Sequence, residues 1–189
     1  MSTGEDARGE HDAEAFDVFL AMRRRRMHRA FLPEPVEASL LERLIYAAGR
    51  GPSARSDLRH LVVTSDPRLI SSIRQVCPGW LNNAPSMIAV CTDTRLADEV
   101  LGPSADKATI LDSGAAAAYL SLAAPALGLG ICFVTSWPKE SVQGVLDLPE
   151  HIRPDVLVAV GRPLPNPPKA PARFKPTVHR DRFQTGVTR

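Results

Sequence analysis

The sequence predicts a single layered α+β domain, and three observations carry that prediction. Helical and strand-like periodicities alternate irregularly along the chain without an internal repeat, which is the pattern of helices packed on a sheet. The 189 residues lie near the size at which one domain closes around one core, and a 44% hydrophobic share is enough to fill it. Residues 156–161 form an unbroken apolar run, suited to the middle of a sheet.

Taken in order, residues 1–12 are polar and aperiodic and read as a disordered tail. The folded domain is expected over 13–162, with a C-terminal segment over 163–189. Structure starts near Ala13, where Ala15, Phe16, Phe19 and Leu20 mark one helical face. This helix is expected to run on through 23–29 until Pro33 and Pro35 break it. Val36, Leu40, Leu41, Leu44, Ile45 and Ala48 recur at helical spacing, and Gly49 and Gly51 stop that second helix. The turn Gly51-Pro52-Ser53-Ala54 leads to a short strand at 61–64, a helix at 67–75 and an apolar strand at 87–92.

Residues 107–127 form the most apolar helix. Its small residues at 114–118 and 123–124 let backbones approach closely, so it is expected to be the central buried helix. Pro125 removes one of its hydrogen bonds and predicts a kink, at roughly 3 kcal/mol unless packing offsets it. Gly128-Leu129-Gly130 turns the chain into a strand at 131–135. A helix at 139–146 ends at Pro149, and the strand 156–161 follows. Five prolines in 163–171 predict an extended arm. The composition of 172–189 places that segment away from its own core, across a partner subunit.

Composition excludes several classes. A net charge of +2 argues against a general polyanion binder, without speaking to local patches. Cys77, Cys91 and Cys132 are odd in number and form no CxxC pair, so neither a disulfide framework nor a zinc site is expected. Cys91 and Cys132 read as small buried hydrophobes. The polar, acidic residues 1–11 do not resemble a secretory leader, and the apolar stretch 115–129 is too short and alanine-rich to cross a bilayer. A soluble, cytoplasmic setting is the expectation. His28, His60, His151 and His179 are scattered, with no metal-ligand spacing.

The run 23–29 holds five arginines in seven residues. It suits a solvated helix end, a nucleic-acid patch or a phosphate site. The 5% aromatic content argues against a stacking platform for bases. Arginine's planar fork of donors matches phosphate oxygens. Composition alone does not choose among the three.

The wider pattern resembles the nitroreductase family. Arg25-Arg26-Met27-His28-Arg29-Ala30-Phe31, then Pro35-Val36 and an amphipathic helix ending at Gly51-Pro52-Ser53, are similar to that family's opening. Asn83-Ala84-Pro85, the 112–130 segment with Leu127-Gly128-Leu129-Gly130, Leu148-Pro149-Glu150, 158–163 and Arg173-Phe174-Lys175 continue the similarity in order. It covers roughly 16–183.

The resemblance implies a nitroreductase-like α+β fold with a central mixed or antiparallel sheet, and a homodimer with an exchanged C-terminal arm. It implies FMN as cofactor, NADH or NADPH as electron donor, and a nitroaromatic, quinone or similar acceptor. Arg25, Arg26 and Arg29 would hold the flavin phosphate and ribityl region, with Arg173 and Lys175 closing over the phosphate. Pro52, Ser53 and Ala54 would lie against the isoalloxazine from the other subunit. The main chain at Thr135 and Ser136 would face flavin N5, where a backbone N–H stabilises developing charge. No catalytic side chain is expected, because the flavin carries the electrons. Neither nucleic acid nor membrane is expected as a partner.

The chain departs from the family pattern in places. Met27 stands at the usual serine position of the cofactor set. Ser56-Asp57-Leu58-Arg59-His60 replaces the family's Asn-x-Gln-Pro-Trp, with Ser56 at the Asn position. Arg59 and His60 then supply either polar groups near the site or an edge-strand surface. The segment Cys77-Pro78-Gly79-Trp80-Leu81 also resembles the flavin subunits of cyclodipeptide oxidases, which implies an alternative: an oxidase of a peptide-derived substrate, working with a small partner subunit. A protein that sequesters flavin with little turnover is the remaining alternative, motivated by the altered 56–60 stretch.

Overall fold

The structure is a computed structural model that describes residues 18–165 and 176–183. Its centre is a four-stranded sheet of β1 (Arg59–Thr64), β2 (Ser86–Asp93), β3 (Gly130–Val134) and β4 (Ile152–Gly161), in the order β1-β2-β4-β3. Every pairing between these strands is antiparallel.

Side-chain alternation along the strands builds two apolar layers. Met87, Ala89, Cys91, Cys132, Val134, Leu157 and Ala159 face one way, against Ile70 and Ile73 of α3 (Pro67–Val76) and Val142 of α6 (Lys139–Val145). Ile88, Val90, Ile131, Val156, Val158 and Val160 face the other way, against Leu41, Leu44 and Ala48 of α2 (Ala38–Gly49) and Ala116, Leu120 and Ala124 of α5 (Ala105–Ala126). Both inner strands are buried on both faces, as the apolar run at 156–161 predicted. All three cysteines are free and buried.

Two short helices flank this frame: α1 (Val18–Arg24) and α4 (Thr94–Leu101). Helix α4 has no counterpart in the sequence reading, although its start signal is present. The Asp93 side chain accepts the N–H of Leu96 at 2.9 Å, an N-cap. Asp66 caps α3 in the same way through Arg68 N.

Three expectations change. Helix α1 does not continue through the arginines to Pro33; it ends at Arg24, and the chain beyond is extended because it pairs with the edge of β3. Helix α5 is buried on one face only, since Ile110, Leu111 and Tyr119 are exposed on the other. Strand β4 starts four residues earlier than its apolar run. Its first half carries Arg153 and Asp155, which a buried network accommodates. Thr92 and Ser113 hydroxyls each donate to Asp155 Oδ2 at 2.6 Å, and Arg153 Nε donates to Oδ1 at 2.6 Å. Arg153 also reaches Asp106 and Thr109 of α5. Pro125 falls at the second-last position of α5. The expected structure at 13–17 and most of the proline-rich arm lie outside the described residues.

Candidate functional site

The arginine segment is extended and meets the sheet through two isolated bridges, one to β3 and one to the residue that follows β4 by two. Met27 bridges Ile131 in parallel, and His28 N–H donates to Ile131 O at 2.9 Å. Phe31 then bridges Pro163, and Leu32 N–H donates to Arg162 O. Asn83 fixes the far end from the side: its carboxamide accepts from Phe31 N–H at 2.8 Å and donates to Phe31 O at 2.9 Å.

Alternation sorts the cluster. Met27 and Phe31 pack into the α3/α6 layer, so Arg29 between them lies on that side, exposed at the sheet edge. Burial pushes the Cys132 thiol above its ordinary value, while the nearby charge of Arg29 pulls it down. Arg26 and His28 share the opposite side. The His28 pKa is lowered first by burial and then by the charge of Arg26. The Arg26 guanidinium folds back on its own segment, donating to the carbonyls of Arg23 and Arg25. Arg25 is half-buried, and its N–H closes the last turn of α1 on Ala21 O.

Strand β3 leads directly into Thr135 and Ser136, both exposed. Neither caps the following helix, whose N-cap position is Pro138 with no side-chain cap. Ser136 O instead accepts a hydrogen bond from Gly79 N–H at 3.4 Å. The Cys77–Leu81 stretch therefore lies against this step, with Trp80 buried and Leu81 exposed.

The Pro52–Ala54 turn sits at the opposite edge of the sheet, where it enters β1. Arg59 gathers main-chain oxygens there: Nη1 donates to Ala48 O (2.9 Å) and Gly51 O (3.2 Å), and Nη2 to Pro52 O and Asp112 O (both 3.0 Å). Asp112 Oδ2 accepts the N–H of Ala54 at 2.8 Å. Gly51 is needed because a Cβ would lie 3.0 Å from the Ala116 backbone of α5. Ser53 is half-buried, while Pro52, Ala54 and Ser56 are exposed, and Ser56 opens a 3-10 turn that ends at Leu58. Arg59 belongs to the main-chain frame of this turn, and His60 is exposed on the edge strand.

One chain thus brings Arg29 and the Thr135–Ser136 step to the β3 edge but leaves Pro52–Ser56 at the β1 edge. Four inter-strand steps separate Met27 from β1, roughly 19 Å at ~4.8 Å per step. Arg173 and Lys175 lie outside the described residues. The sequence placed Asn83 in a motif and read Arg59 as either a polar group near the site or an edge-strand surface, but it showed no sign of the Asn83 clamp or of the main-chain frame that Arg59 and Asp112 build.

The donor set fits a flavin phosphate. Extended backbone carries arginines beside an open strand end, and guanidinium groups are suited to a dianionic phosphate. Met27 is turned into the core and offers no polar atom there. Among the described residues no His/Cys/Asp/Glu group is arranged to hold a metal ion, and no helix is long and apolar enough to cross a membrane.

Comparison with known proteins agrees with this frame. The nitroreductase family profile matches residues 58–162. A Methanothermobacter thermautotrophicus protein assigned as an NADH dehydrogenase/NAD(P)H nitroreductase is 30% identical over 158 residues, covering 80% of each chain. A Parabacteroides distasonis structure with the same assignment superposes at a TM-score of 0.75 and 26% identity, covering 88% of this chain and 98% of its own. NfrA1 nitroreductase of B. subtilis shares the fold at a TM-score of 0.78 and 20% identity, covering 89% of this chain and 76% of its own. With a profile match across more than half its length, and relatives covered over most of theirs, the chain belongs to the nitroreductase family of oxidoreductases.

Proposed function

We propose that the chain is an FMN-dependent oxidoreductase that passes electrons from NADH or NADPH to a nitroaromatic, quinone or similar acceptor, working as a homodimer with its flavin sites between subunits. The observation that carries this reading is the extended arginine segment bridging Ile131 of β3, the strand that runs on into Thr135 and Ser136. An FMN-dependent nitroreductase of Clostridium difficile shares the fold, at a TM-score of 0.71 and 21% identity.

In this reading Arg25, Arg26 and Arg29 hold the phosphate and ribityl chain by charge-assisted hydrogen bonds. Arg173 and Lys175 close over the same phosphate. The bound flavin supplies reversible uptake of electrons, so no side-chain nucleophile is required. The main chain at Thr135 and Ser136 offers neutral donors to the N5 edge, where they favour negative charge. Pro52, Ser53, Ala54 and Ser56 come from the second copy, because each chain holds its own turn on the wrong edge.

Purified protein is expected to be yellow and to bleach anaerobically with NADH or NADPH. A colourless protein that FMN cannot reconstitute defeats the reading.

A second reading is favoured by the packing of Gly79 on Ser136, which sets Cys77–Leu81 against a residue proposed above to face flavin N5. That segment carries the likeness to cyclodipeptide oxidases. Flavin reduction by a cyclic dipeptide and not by NAD(P)H selects the oxidase, whereas reduction by NAD(P)H alone selects the reductase.

A further inference from the structure

Arg59 and Asp112 do more than join α2 to β1. A connecting turn at the surface satisfies its carbonyls and amides with water. Here one guanidinium holds four carbonyl oxygens, drawn from the end of α2, both residues of the Gly51-Pro52 turn, and α5. The amide of Ala54 is held from the other side by Asp112. Desolvating an arginine against neutral acceptors is unfavourable in itself, and the Arg59 pKa is lowered by that burial, with the charge of Asp112 opposing it. The cluster therefore fixes main-chain conformation at some electrostatic cost.

The turn so fixed cannot meet the arginine strand of its own chain, since β2, β4 and β3 stand between them. We propose that Arg59 is a positioning residue which, with Asp112, pre-shapes the Pro52–Ala54 turn for the flavin site of a second copy of this chain. The proposal rests on the FMN reading above. A turn held in its binding conformation before the flavin arrives spares the ordering cost on association, and so tightens binding without touching the ligand.

The test measures FMN affinity by fluorescence quenching, well below the unfolding temperature. Arg59→Met is expected to raise the Kd for FMN about ten-fold or more. Asp66→Ala, which removes the N-cap of α3 beyond the far end of β1, serves as the stability control. It is expected to lower the melting temperature while leaving the Kd within about two-fold.

A mixed dimer then asks where Arg59 acts. One chain carries Arg59→Met, the other carries Arg25→Ala and Arg29→Ala, and the pair is isolated by two different tags. Each homodimer is expected to bind FMN poorly, whereas the mixed dimer binds one FMN tightly, at the site built from the intact arginines and the intact turn. An empty mixed dimer overturns the proposal, as does unchanged FMN affinity in Arg59→Met or an equal loss of affinity in Asp66→Ala. A wild-type protein that takes up no FMN overturns the functional reading and this proposal together. Wild-type binding with Arg59→Met unaffected overturns the proposal alone.

Discussion

Gly130 and His28 are fitted to each other: a Cβ at residue 130 would lie 2.7 Å from Cγ and Cδ2 of the imidazole and 3.1 Å from its Cβ. The first residue of β3 thus has no side chain so that the arginine strand can lie down on it. Gly130→Ala is expected to destabilise the protein by about 1–3 kcal/mol through overpacking. His28→Ala in the same chain should recover much of that loss. A urea-denaturation double-mutant cycle measures the coupling, and additive losses would show that the two residues do not interact.

The same imidazole makes stability depend on pH. Burial and the charge of Arg26 hold the His28 pKa below its ordinary 6.5. Just below 6.5 the unfolded chain binds more protons at this site than the native one does, so stability rises with pH through that window. The contribution is complete above about 6.5 and is lost as the pH falls. Comparing urea midpoints of wild type and His28→Gln at mildly acidic and neutral pH isolates this contribution. Identical pH dependence in the two proteins would rule it out.

The cysteines should be chemically silent. Burial pushes the Cys77 thiol up to about 11 and the Cys91 thiol up to about 12, so almost none is thiolate near neutral pH. A thiol reagent at pH 8 is expected to leave the native chain unlabelled and to react with all three cysteines in denaturant. Because the native values are raised above the ordinary 9.0, stability should fall as the pH rises beyond about 9. Rapid native labelling of Cys77 or Cys91 would contradict the burial.

The two faces of the arginine strand should be unequal. Arg26 is occupied by its own main chain, whereas Arg29 stands exposed on the side of the α3/α6 layer. Losing one charge-assisted hydrogen bond, worth about 1.5–3 kcal/mol, should raise the FMN Kd about ten-fold or more in Arg29→Ala. Arg26→Ala should have the smaller effect. The reverse order, measured by flavin fluorescence, would mean that Arg26 turns to meet the phosphate.

What could be read in advance was local. Helix α2 announced itself by apolar spacing, and the second half of β4 by an unbroken run, since both patterns are written in neighbouring residues. The first half of β4 was hidden because Arg153 and Asp155 look like loop residues until Thr92, Ser113 and Asp106 arrive from elsewhere in the chain. The end of α1 was missed for a similar reason. Nothing within 18–29 stops the helix; pairing with Ile131, a hundred residues away in sequence, does. At the candidate site, the arginines and the Pro-Ser turn were legible as motifs. The main-chain role of Arg59 was not, because its acceptors are backbone atoms at 48, 51, 52 and 112, and backbone atoms leave no mark in a sequence.

The extended segment that carries the arginines also bridges the outer edge of β3 at Ile131. Bare sheet edges invite other chains to add on, and natural proteins discourage this with dense charge and nearby prolines. Residues 25–31 have both, with Arg25, Arg26 and Arg29 along the strand and Pro33 and Pro35 just beyond it. The charge suited to gripping a phosphate therefore also protects the molecule from sticking to itself. Neutralising the cluster wholesale should cost solubility as well as cofactor.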